Sequence, residues 1–74
     1  MGDKVLDLRG LKYTMPVVKT AAALKKAEPG DVFEVINDYP GFKDDIKRFC
    51  DETGNSLVDI SSTDTETRAT IKKA

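Results

Sequence analysis

The chain has 74 residues, 39% of them hydrophobic and 34% charged, and its formal net charge is −1. That balance is ordinary for a soluble globular domain and gives no electrostatic reason to expect nucleic acid or an acidic membrane as a partner. With no histidine and a single cysteine, neither a metal site nor an internal disulfide is expected.

The length suits one domain over residues 1–74, which buries only roughly 60% of its unfolded surface. Any site must therefore sit at the edge of a thin two-layer structure. No apolar run approaches the roughly 20 residues that span a bilayer. The first residues lack the charged-then-apolar layout of a secretory signal, so a reduced, cytoplasmic protein is expected. The basic pairs Lys25-Lys26, Lys47-Arg48 and Lys72-Lys73 read as solvated faces.

In chain order, Val5-Leu6-Asp7-Leu8 alternates as a short strand, and Arg9-Gly10 turns the chain. A helix is expected from Thr14, whose hydroxyl can cap free backbone N–H groups, with Pro16 in its first turn. Val17, Ala21 and Leu24, with Val18 alongside, form its expected buried stripe, and the helix must stop by Glu28-Pro29-Gly30. Asp31 to Asn37 is a dense β-branched and aromatic run, expected as an interior strand buried on both sides.

Asp38-Tyr39-Pro40 opens a second helix, with Pro40 expected in its first turn. Phe42, Ile46, Phe49, Cys50 and Thr53 recur on one face of that helix, and Gly54 ends it in a left-handed conformation. Leu57 to Ile60 and Thr67 to Ile71 are strands joined by the polar loop Ser61 to Glu66. The expected fold is an α/β two-layer sandwich of order βαβαββ. Both helices cover one face of a four-stranded mixed sheet, with parallel strand–helix–strand neighbours and a final antiparallel hairpin.

Residues 7–16, Asp7-Leu8-Arg9-Gly10-Leu11-Lys12-Tyr13-Thr14-Met15-Pro16, resemble the entry motif of the TusA/SirA-like sulfur-carrier family. There an apolar strand leads into Gly-Leu-x-Cys-Pro-x-Pro, and the cysteine accepts sulfur as a persulfide. Gly10, Leu11 and Pro16 match, whereas Tyr13 stands at the cysteine position and Thr14 at the first proline. Glu28-Pro29-Gly30-Asp31, Asp38-x-Pro40 and Asp45-Ile46-x-x-Phe49-Cys50 resemble the family's second half, so the likeness covers nearly the whole chain.

The resemblance implies a small cofactor-free cytosolic carrier, acting as a monomer. Such a carrier takes persulfide sulfur from a cysteine desulfurase or a rhodanese-type donor and relays it to an acceptor protein. The pathways implied are tRNA thiolation, molybdenum-cofactor enzyme maturation or sulfur oxidation. The chemistry needs a thiolate, and a helix N-terminus favours one.

Tyr13 cannot serve that role, because oxygen does not hold sulfane sulfur as a persulfide does. It reads as an aromatic shielding the helix start or as a contact residue. Thr14 reads as a cap, and no histidine is available to activate it as a nucleophile. Cys50 is the one thiol, and its position on an apolar stripe reads as a buried small hydrophobe. Arg9 and Lys12 are either a basic collar for an anionic sulfur or two solvated loop cations.

Two functions follow. In one, the chain is a non-catalytic partner-binding or regulatory module that docks sulfur-relay proteins through Arg9, Gly10, Leu11, Lys12, Tyr13, Thr14, Met15 and Pro16. In the other, it is an active sulfur carrier, acting through Cys50 or through a cysteine at position 13 in a parent sequence. Whether it is an enzyme stays open between them.

Overall fold

Six elements occur in the order β1 (Lys4–Asp7), α1 (Met15–Lys25), β2 (Val32–Asn37), α2 (Phe42–Thr53), β3 (Ser56–Ser62) and β4 (Thr67–Lys72). The computed structural model describes residues 4–74. The expected βαβαββ order is present, and the four strands form one mixed sheet in the order β1-β2-β4-β3.

β1 runs parallel to β2, from Lys4 opposite Phe33 to Asp7 opposite Ile36. β4 runs antiparallel to both β2 and β3. The expected pairing of parallel neighbours thus holds for β1 and β2 but not for β2 and β3, because β4 inserts between them. The cause lies in burial. β2 (Phe33, Val35) and β4 (Ala69, Ile71) have buried, largely apolar inward rows, whereas β3 alternates with serine and aspartate, has no buried residue and tolerates an edge. A register shift between Leu57 and Asp59 leaves Val58 59% exposed, a bulge that interrupts the β3 edge.

Both helices lie on one face of this sheet. Leu24 of α1 and Phe42, Ile46 and Cys50 of α2 pack on Phe33, Val35, Ala69 and Ile71 as a single cluster. In α2 the expected face is found at Phe42, Ile46 and Cys50, with Phe49 half-buried and Thr53 exposed. Gly54 ends α2 at φ 78°, and its N–H donates to the Cys50 carbonyl at 3.0 Å.

α1 departs from expectation. Its buried positions are Pro16, Thr20 and Leu24, rather than Val17, Ala21 and Leu24. Val17 and Ala21 are half-buried, and Val18 is 52% exposed. The polar Thr20 reaches full burial because its hydroxyl donates to the Pro16 carbonyl at 2.8 Å, one turn back. With that polarity satisfied, the helix rotates and leaves its valines facing α2 and solvent. α1 ends at Lys25, before Glu28-Pro29-Gly30 as expected, with Lys26 as its C-terminal cap.

The start of α2 is displaced likewise. Gly41 is its N-cap, so Pro40 lies outside the first turn, in a bend closed by the Phe42 N–H donating to the Tyr39 carbonyl.

Candidate functional site

The segment between β1 and α1 is anchored almost wholly to the C-terminal end of β2. The Leu8 N–H donates to the Ile36 carbonyl at 2.8 Å, extending the parallel ladder by one residue. Leu11 N–H then folds back on the Leu8 carbonyl at 3.2 Å, while Gly10 takes φ 92°, a left-handed conformation that suits glycine.

Three consecutive residues, the last of β2 and the two that follow it, hold this turn. Asn37 Nδ2 donates to the carbonyls of Leu8 (2.7 Å) and Leu11 (3.0 Å), and its Oδ1 accepts the Tyr39 N–H at 2.9 Å. Asp38 Oδ1 accepts the Gly10 N–H at 3.0 Å. The Tyr39 ring lies 5.5 Å from that of Tyr13, tilted by 56°, within the range of favourable aromatic pairs. Gly41 makes room for that ring, since a Cβ there would fall 2.8 Å from Tyr39 Cε2.

Tyr13 stands where this turn meets α1. It is 70% exposed and, at φ 64°, is the one non-glycine residue with positive φ among the described residues. For a bulky side chain that conformation costs about 1 kcal/mol or more and persists only where neighbours enforce it.

Thr14 follows as the N-cap but takes helical rather than extended torsions, and its hydroxyl makes no cap bond. The expected capping role is therefore not filled: the extended geometry that aims a cap hydroxyl at the first turn is absent. Pro16 does sit in the first turn, and it is buried beneath the helix rather than presented at the surface. Of the remaining segment, Leu11 is half-buried, and Arg9, Gly10, Lys12, Thr14 and Met15 are exposed.

Arg9 is not part of a free basic collar. Its Nε and Nη2 grip the two Asp7 oxygens at 2.9 and 2.7 Å, and its Nη1 lies 3.9 Å from Glu66 Oε1. Glu66 in turn pairs with Arg68 at 2.9 Å, and Arg68 with Glu34 at 3.2 Å. This alternating chain crosses the sheet face opposite the helices. The Arg9 side-chain bonds, then its backbone N–H, bring the Asp7 carboxyl down to about 2. Lys12 makes no ion pair among the described residues, so of the two expected collar cations it alone is uncommitted.

Cys50 lies in the core with 3% of its surface exposed, and burial pushes its thiol pKa up. Both effects oppose nucleophilic behaviour.

The apolar character at the surface gathers instead near the start of α1. Tyr13, Met15 (42% exposed) and Val18 (52%) are three of the five exposed large hydrophobic residues among the described residues. Val18 also lines a groove of about 220 Å³ between the helices, together with Thr14, Val17, Asp45, Arg48, Phe49 and Glu52. No group of side chains suited to a metal ion occurs among the described residues, and none of their helices is long and apolar enough to cross a membrane.

The sequence-level reading of the site did not include Asn37, Tyr39 or Gly41. A signal for Asn37 was available: Phe33, Val35 and Asn37 share the inward face of one strand, and a polar side chain in an inward row needs partners.

Comparison with known proteins then decides the family. The sequence model described as Sulfurtransferase TusA matches residues 4–73. The chain belongs to the TusA family.

A putative sulfur carrier protein of Aquifex aeolicus is 43% identical over 72 residues, covering 97% of this chain but only 36% of that relative's length. One from Neisseria meningitidis serogroup A is 36% identical over 64 residues, covering 86% of each. The sulfur carrier protein TusA of Allochromatium vinosum is 31% identical over 72 residues, covering 97% of this chain and 95% of its own. Against this TusA frame, residues 8–16 contain no thiol, and the one cysteine of the chain is in the core.

Proposed function

We propose that this chain is a non-catalytic, partner-binding member of the TusA family, acting in the cytoplasm on the protein partners of a sulfur relay. The observation that carries this reading is the residue at position 13. It is a solvent-facing tyrosine held at the entry to α1, while the sole thiol is buried. Persulfide transfer requires a thiolate to attack the outer sulfur of the donor, forming one S–S bond as the donor's own S–S bond breaks and its thiolate leaves. Neither Tyr13 nor Thr14 can form that bond. The exposed Tyr13, Met15 and Val18, the last also lining the inter-helix groove, supply the kind of apolar and aromatic anchors that dominate protein interfaces.

A second reading, an active carrier through a cysteine at position 13 in a parent sequence, has one feature in its favour. The start of α1 carries no side-chain cap and no acidic residue in its first turn, an arrangement suited to a thiolate. Cys50 serves that reading poorly, since it would have to leave the core to react.

Calorimetric titration against a cysteine desulfurase and a rhodanese tests the docking surface. At least one should bind, and Tyr13→Ala or Met15→Ala should weaken that binding by about tenfold, equivalent to about 1.4 kcal/mol. Val58→Ala, on the β3 edge, should leave it unchanged. Failure of both proteins to bind, or equal binding by the Tyr13 and Met15 variants and the parent, contradicts the proposal.

A further inference from the structure

The turn that presents Tyr13 has no ladder partner beyond Leu8, yet it is tightly specified, and its fixings converge on one side chain. Asn37 ends β2 with no exposed surface, although it is polar and lies on the face that packs against the helices. Both polar atoms of its amide are engaged: two N–H groups reach the carbonyls of Leu8 and Leu11, and its oxygen takes the Tyr39 N–H. Among the standard side chains of this length only an amide offers two donors and an acceptor in one plane. Aspartate lacks the donors, and leucine lacks all three groups.

The two carbonyls Asn37 holds bracket Gly10, and the N–H it accepts belongs to the residue whose ring meets Tyr13. A left-handed non-glycine residue two positions after Leu11 needs such enforcement to persist.

We infer that Asn37 is the positioning residue of the site: it fixes residue 13 in its left-handed conformation at the start of α1, and so sets the reactivity of the side chain placed there. This deepens the reading of residue 13 as the functional position and rests on it. Asn37 touches no reacting atom, and its effect passes through the turn it clamps.

The test uses Tyr13→Cys as a reporter and follows iodoacetamide alkylation across pH. With Asn37 in place, the introduced thiol should titrate below the free-thiol value of about 8.5. In Tyr13→Cys/Asn37→Ser, which removes the amide fork without adding charge, the midpoint should return to about 8.5, and the rate at pH 7 should fall about threefold. Ile71→Val at the opposite end of the sheet is the control for lost stability: it should lower the melting temperature and leave the pH profile of the reporter unchanged. A profile unaffected by Asn37→Ser, or shifted equally by Ile71→Val, overturns the inference.

Hydrogen exchange on the unmodified chain gives a second readout that requires no variant to fold. The Asn37 side-chain amide protons should exchange slowly, alongside the backbone N–H groups of Leu11 and Tyr39. Fast exchange of the Asn37 amide protons would refute the clamp. A reporter thiol that titrates normally while those protons stay protected would instead count against residue 13 as a privileged position, and leave the clamp standing.

Discussion

Phe42→Ala should lower the melting temperature by about 20 °C, the largest stability effect expected of any single truncation in this chain. Phe42 is fully buried in the first turn of α2 and belongs to the cluster that joins both helices to β2 and β4. Removing a buried phenyl ring costs about 3–5 kcal/mol, as lost transfer energy plus an unfilled cavity. A domain of this length has only about 4–11 kcal/mol of stability in total, so the variant should lie near the edge of folding. The cavity would open in the cluster that Ile46 and Cys50 share on the same face of α2. Val58→Ala is the contrasting case: on an exposed bulge it should change stability by less than about 0.5 kcal/mol. Urea denaturation of the two variants checks the pair, and a loss under about 1 kcal/mol for Phe42→Ala would show that the core is not arranged as described.

Tyr13→Cys should create a thiol that alkylates about threefold faster at pH 7 than an unstructured peptide thiol, and at least about tenfold faster than Cys50. Two features act on the new side chain: the uncapped start of α1, and Lys12, which is uncommitted among the described residues. Arg9 contributes little, because Asp7 and Glu66 offset its charge. A thiol lowered by about one pH unit gains roughly eightfold in thiolate fraction at neutral pH. It loses part of that gain because a less basic thiolate is a weaker nucleophile, and about threefold remains. The comparison with Cys50 is larger because that thiol is both buried and shifted up. Adding Thr14→Pro should change little, since Thr14 makes no cap bond that would be lost. Equal rates for the introduced thiol and a free peptide thiol would mean that the helix start does not act on position 13.

The fold was readable where one signal dominated. The apolar run of β2, the i, i+4, i+8 spacing of Phe42, Ile46 and Cys50, and the glycine at 54 each had a single low-energy solution. α1 was less legible because its most apolar residues are not its most buried ones. Thr20 enters the core by bonding its own helix, a local exchange that hydrophobic periodicity does not register. The insertion of β4 between β2 and β3 depends on competition among strands for central positions, which no single segment encodes.

At the site, the motif over residues 9–16 placed the turn and the helix entry correctly. The long-range commitments of this segment were not legible, because the partners lie far away in sequence: the Arg9 guanidinium reaches Glu66 as well as Asp7, the Gly10 N–H reaches Asp38, and the Leu8 and Leu11 carbonyls reach Asn37. A charged residue next to a reactive position reads as a collar until its distant partner is known.

On the proposed reading, this chain keeps the TusA frame and lacks the thiol that frame would present. Sulfur loading tests it most directly. The parent chain, Tyr13→Cys and Tyr13→Cys/Cys50→Ala are each incubated with a cysteine desulfurase and labelled cysteine, and intact mass and label are read after removal of the enzyme. The parent should gain no sulfur, and Tyr13→Cys and Tyr13→Cys/Cys50→Ala should each gain a single sulfur that reductant releases. Stoichiometric sulfur on the parent mapping to Cys50, or no loading of either variant by a desulfurase that binds them, would contradict it.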